Sequence, residues 1–273
     1  PQDDRPVSLQ YTVDTAREAG MTVLTPPQHL ISGKTYQGQA DQIMAWVEQN
    51  AGRADVMVLS TDTLIYGGLV DSRKHNIPLS TLQNRLKRIE GLKARNKNVR
   101  IYGFGTVMRS PRASGGGTEP AYYAEYGPTI FQIAALQDKL DSGSLTQEET
   151  QKLMSLQASV PVEYLQDWFD RRQKNMKINK ELIDETRSGV FDYFALGHDD
   201  TSQLSQSALE GRYLNKYSKD ISVEKYGSFP GADQLGLLLM ARSRTDVSTE
   251  KPTFSVIYPL GGGGKTLPGY EDQ

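Results

Sequence analysis

The chain has 273 residues, with 31 Lys and Arg against 33 Asp and Glu, three His and no Cys. A formal charge of −2 gives no overall basic field, so nucleic acid is not an expected partner. The absence of Cys excludes disulfides, thiolate zinc sites, iron–sulfur clusters and thiol nucleophiles, and fits an exported (periplasmic or secreted) protein. The apolar runs, such as residues 235–241, are too short for a membrane span.

In chain order, residues 1–6 (Pro-Gln-Asp-Asp-Arg-Pro) read as a loop leaving a strand that would precede them, with no basic or apolar leader before it. Short β-rich runs then alternate with helix-period segments. Residues 21–25, 55–60, 99–107, 190–196 and 253–258 are the predicted strands. Residues 39–49 form a predicted helix through Ile43, Trp46 and Val47. Residues 80–94 form the clearest helix, with Leu79, Leu82, Leu86, Ile89 and Leu92 at spacings of three and four and Ser80 as its expected N-cap. A further helix follows Pro230-Gly231-Ala232-Asp233 within residues 229–243.

Between residues 107 and 190 the rhythm breaks into helical segments near 128–140, 146–157 and 162–187, entered through a Gly-rich loop over residues 110–118. This predicts an α/β fold, a parallel sheet of βα repeats with helices on both faces (Rossmann-like), formed by residues 1–118 and 189–273 with a helical insertion over 119–188. An incomplete (β/α)8 barrel is the alternative, since functional-looking residues follow so many strands.

In parallel α/β folds ligands bind beyond the carboxyl ends of the strands. Asp3, Asp4 and Arg5, then Asp62, Tyr66 and Arg73, then Arg109, then His198, Asp199 and Asp200 all fall after predicted strands. The acids Asp3, Asp4, Asp62, Asp199 and Asp200 admit two chemistries. They could act as general acid and base, or supply oxygen ligands to Mg²⁺, Mn²⁺ or Ca²⁺. Adjacent acids at a strand end point apart, so one of each pair is expected to face the site. His198 is a candidate ligand or base, or a simple hydrogen-bonding group. Arg5, Arg73 and Arg109 suit an anionic group on a substrate, or else neutralise the acids themselves.

On the helix over 162–187, Arg172, Asn175 and Asn179 fall within the face made by Leu165, Trp168, Phe169, Met176, Leu182 and Ile183. Polar groups on such a face need partners. They either cap loops of the sheet or roof the strand-end site. Two tempting motifs fail. Residues 261–266 (Gly-Gly-Gly-Gly-Lys-Thr) have Pro259 where a phosphate-binding loop needs its first Gly, and Leu267-Pro268-Gly269 breaks the helix that should follow. Gly103-Phe104-Gly105 lacks the third Gly and the helix start of a dinucleotide fingerprint, and there is no Gly-x-Ser-x-Gly elbow.

Several stretches in combination resemble a bacterial family of unknown function, domain of unknown function 4127. They are Pro1–Pro6, Pro26-Pro27, Tyr66–Arg73 (Tyr-Gly-Gly-Leu-Val-x-Ser-Arg), Met108–Pro111, Asp199–Thr201, Pro230–Asp233 and Tyr270–Asp272, with Gln2 where a Leu is common. The resemblance implies longer members with strands before and after this stretch, and no established activity. The residues themselves lead to a hydrolase-like enzyme acting on a small polyhydroxylated or sugar-like substrate. Asp3, Asp4, Asp62, Asp199 and Asp200 would do the chemistry, and Arg5, Tyr66, Arg73, Arg109, Asn175 and Asn179 would bind. A solute-binding module and a structural or interaction domain are the rivals.

Overall fold

A computed structural model describes residues 1–113, 116–200 and 202–248, together with Thr253 and Ser255. Four strands, β1 (Val56–Ser60), β2 (Arg100–Val107), β3 (Tyr193–His198) and β4 (Tyr226–Pro230), form one all-parallel sheet in the order β1-β2-β3-β4. The register pairs Val58 with Tyr102, Gly103 with Phe194, and Leu196 with Ser228. The fold is therefore a mixed α/β fold of the Rossmann-like type.

Side chains alternate across a strand, and the two sets found here face two helical layers. Met57, Leu59, Ile101, Phe194 and Leu196 face one layer. It comprises α2 (Ala40–Asn50), α5 (Leu79–Arg95), α8 (Val162–Ser188) and α9 (Gln206–Tyr217). Tyr102, Phe104, Tyr193 and Ala195 face α10 (Leu235–Thr245) through Leu235 and Leu239. On that same side α1 (Gln10–Glu18) packs against α10. The α5 period works as the sequence requires, since Leu82, Leu86, Ile89 and Leu92 are all fully buried. Gly103 has no room for a side chain, because a Cβ there would lie 2.5 Å from the Phe191 ring.

The long interval after β2 is helical: α6 (Tyr123–Asp141), α7 (Gln147–Ser159) and α8. These helices share a separate apolar cluster around Tyr123, Ile130, Ile133, Leu153 and Trp168. Thr146 and Glu149 close a reciprocal capping box at the start of α7. No helix among the described residues is long and apolar enough to cross a membrane.

Three local expectations are corrected. Residues 21–25 form no strand and pair with none of β1–β4 among the described residues, so they lack the ladder that would make them one. Ser80 lies inside α5; the residue preceding that helix is Pro78, which carries no capping side chain. Strand β4 has no apolar run to announce it, since Tyr-Gly-Ser-Phe-Pro mixes a Gly and a Pro into five residues. The strand predicted over 253–258 and the motifs at 261–266 and 270–272 lie outside the described residues, apart from Thr253 and Ser255.

Phe194 has no exposed surface, and its ring packs against Phe191 and Tyr226. Phe194→Ala is expected to cost about 3–5 kcal/mol, read from urea unfolding of the two proteins.

Candidate functional site at the strand ends

The chain leaves β1 directly into a short helix, α3 (Thr61–Tyr66), so Asp62 sits on the first turn of a helix rather than in a loop. Ser60 caps that turn by accepting from the Thr63 N–H at 3.3 Å. Gly105 on β2 lets this turn approach: a Cβ there would meet Thr61 Oγ1 at 2.4 Å. Asp62 is thereby held over the end of the sheet, 2 % exposed, accepting from Thr106 Oγ1 at 2.8 Å and from Gln2 Nε2 at 3.3 Å. Burial pushes its carboxyl up to about 6, with the Asp199 charge adding to the rise and the Thr106 and Gln2 hydrogen bonds opposing it.

The remaining acids are partnered. Arg73, from α4 (Leu69–Lys74), pairs closely with Asp199 beyond β3 and lies 4.0 Å from Glu119. Arg109, beyond β2, donates to Glu119 from Nε at 2.8 Å and to Thr118 from Nη2 at 2.7 Å. Burial raises the Asp199 carboxyl, while Arg73 and Arg109 pull it down. Burial also lowers the Arg73 guanidinium, and its Nε has no hydrogen-bond partner. A second chain of charges runs along the amino-terminal segment. Arg5 donates to Asp3 at 2.8 Å and grips Asp233, beyond β4, through two bonds at 2.7 and 3.3 Å.

The members of each acid pair have different partners. Asp3 is buried against Arg5, whereas Asp4 takes a hydrogen bond from the exposed Tyr36 hydroxyl. Asp199 holds Arg73, whereas Asp200 accepts from the Ser110 and Ser202 N–H groups at 3.1 and 2.9 Å. His198 hydrogen-bonds Ser228 on the neighbouring strand at 2.7 Å, and burial lowers its basicity. Tyr66 belongs to the apolar core, where it stacks on His75.

The inward polar residues of α8 are engaged with main chain. Asn175 donates to the Ser72 carbonyl at 2.9 Å and contacts His75 Nε2 at 2.8 Å. Asn179 donates to the Thr106 carbonyl at 3.3 Å. Arg172, 1 % exposed, donates to the Met108 and Arg109 carbonyls at 2.6 and 2.9 Å and grips Glu210 on α9. These three side chains fasten α8 to helix α4, to the end of β2 and to the segment that carries Arg109.

The family described as "Protein of unknown function (DUF4127)" matches residues 1–273. The chain belongs to the DUF4127 family. No curated protein and no solved structure matches it.

Among the described residues no three His, Asp or Glu side chains come together as ligands, and Asp3 and Asp199 are spent on guanidinium groups. Sequence reasoning missed Glu119, Asp233, Thr106 and Gln2 as parts of the cluster. Asp233 could have been found had β4 been recognised, because it then falls after a strand end. Thr106 sits inside a strand and Glu119 follows a Gly-rich loop, so neither carries a signal of its own.

Two outcomes follow. Arg73→Met leaves Asp199 and Glu119 without this cation and is expected to cost about 3–5 kcal/mol by chemical unfolding, with much of that recovered when Asp199→Asn is added. Asp62 prefers its neutral form in the folded state. Its contribution is therefore complete below its ordinary value of 3.8 and lost as pH rises through about 6. That shift corresponds to about 3 kcal/mol. Asp62→Asn should remove this pH dependence and be the more stable protein at pH 8, measured by unfolding at pH 4, 6 and 8.

Proposed function

We propose that the strand-end cluster belongs to a hydrolase-like enzyme acting on a small, uncharged, hydroxyl-rich substrate of the sugar type. The observation that carries the reading is Asp62, a carboxyl that keeps its proton to about pH 6 at the end of a parallel sheet, with the guanidinium-held Asp199 nearby in electrostatic reach. A carboxyl without a cation beside one paired with a guanidinium can divide the roles of acid and base. Asp62 would give its proton to the oxygen of the leaving group, and Asp199 would take a proton from the attacking water. The bond to the leaving oxygen breaks as the bond to water oxygen forms.

The charge pattern favours a neutral substrate. Arg5, Arg73 and Arg109 already hold Asp3, Asp233, Asp199 and Glu119. A carboxylate or phosphate on the substrate would have to displace those partners. Polar groups at the rim, including Tyr36 and Asp233, are open to solvent and suit hydroxyl groups.

The test is turnover of a panel of p-nitrophenyl glycosides and esters between pH 4 and 8. The reading expects kcat/KM to fall as pH rises above about 6, and Asp62→Asn to lower kcat by ~10²–10⁴ while the protein stays folded. Full activity in Asp62→Asn would refute the assignment. Sugars that raise the melting temperature while no member of the panel is hydrolysed would point instead to a solute-binding module.

A further inference from the structure

The main chain of Gln2 is held from three sides. Its carbonyl accepts from the Leu69 N–H at 3.2 Å and from the Ser32 and Thr63 hydroxyls at 3.3 Å each. Gly68 lets these segments meet, since a Cβ there would lie 1.8 Å from Ser32 Oγ and 3.0 Å from the Gln2 carbonyl oxygen. The side chain is sealed as well, 1 % exposed, with Nε2 donating to Asp62 Oδ2 at 3.3 Å. Its terminal torsion is still free to turn, because that torsion is broad and roughly two-fold in glutamine.

One end of this amide is satisfied and the other is not. Gln2 Oε1 is buried without a hydrogen-bond partner, a state that costs stability. Asp62 has the complementary need. As a carboxylate it only accepts, and Thr106 Oγ1 and Gln2 Nε2 both donate to the same oxygen, at 2.8 and 3.3 Å. As a carboxylic acid it carries an O–H of its own and needs an acceptor.

The other groups packed around Asp62 are engaged elsewhere. Asp199, beyond β3, is bound to Arg73 of α4, and Asp3 to Arg5. Arg85 of α5 holds Asp41 of α2 and the Ile65 carbonyl. Asn179 of α8 donates to the Thr106 carbonyl. The Tyr66 hydroxyl of α3 is kept protonated by burial and by the Asp62 charge. Gln2 Oε1 belongs to the group that already touches Asp62, and it has nothing else to bind.

We propose that Gln2 is a positioning residue for the Asp62 acid: its amide donates from Nε2 to the ionised carboxyl and, turned end for end, accepts the proton of the neutral carboxyl at Oε1. A flat amide has nearly the same shape either way round, so the turn asks little of the packing. When Asp62 gives its proton to a leaving group, the O–H···Oε1 bond is lost and an N–H···O bond replaces it. No proton passes to or from Gln2. Both charge states are thereby hydrogen-bonded at a carboxyl almost closed to solvent. The inference rests on the acid role given to Asp62 above.

A double-mutant cycle of Gln2→Leu and Asp62→Ala, read by urea unfolding at pH 4 and pH 8, tests it with bulk packing effects cancelled. The proposal expects a favourable coupling of about fivefold or more in the unfolding equilibrium at both pH values. An amide that only donates would couple at pH 8 and not at pH 4. Should Gln2→Leu fail to fold, the unsubstituted chain decides by NMR. The nuclear Overhauser effect between the Gln2 amide hydrogens and the Thr106 side chain should be strong at pH 8 and severalfold weaker at pH 4. Coupling confined to pH 8, or an Overhauser effect of equal strength at both pH values, would overturn the proposal. Absence of turnover on the glycoside and ester panel counts against the acid role and leaves both of these readouts standing, so the two failures are separable.

Discussion

Arg172 is the interaction on which the strand-end architecture depends. A buried guanidinium has five donors to satisfy, and here they are divided between two main-chain carbonyls at the end of β2 and one carboxylate on α9. That arrangement fixes the direction in which the chain leaves β2, and so where Arg109 points. It also ties α8 to α9 across the sheet end. Asn175 and Asn179 extend the same attachment along α8 to the α4 region and to the carbonyl of Thr106, whose hydroxyl holds Asp62. A single polar stripe on one long helix thus sets the relative positions of α4, the end of β2 and α9, which are far apart in sequence.

The site built on this frame works against stability. A carboxyl sealed beneath the turn that follows β1 is retained at an energetic disadvantage at neutral pH, although an amide of the same shape could keep its contacts without that disadvantage. Natural cores carry such groups where activity needs them. Its neighbours Asp3, Asp199 and Glu119 are each held by an arginine, whereas Asp62 accepts only from Thr106 and Gln2.

Much of this was legible in the sequence, for definite reasons. Helix α5 and strands β1 and β2 carry strong apolar periods, and the packing confirms them because burial is what the period encodes. The strand-end rule drew attention to Asp62, Arg73, Arg109 and Asp199, which the fold does gather. It could not tell whether Arg73 would meet a substrate or an acid, since that depends on a partner 126 residues away. Strand β4 escaped because its pairing with β3, not its composition, makes it a strand. Residues 21–25 have the composition of a strand and pair with no neighbour among the described residues. Helices α1, α3, α4 and α9 were not foreseen, being short or weakly periodic and dependent on tertiary contacts.

The alternation of acids and guanidinium groups across the strand ends has a kinetic consequence. Opposite charges a few ångströms apart cancel within a Debye length, so a solute diffusing towards this edge experiences almost no long-range pull. Encounter should proceed at the unassisted rate, little altered by added salt. Selection among solutes is then left to the moment of contact, when hydration must be exchanged for whatever hydrogen bonds the cluster can offer.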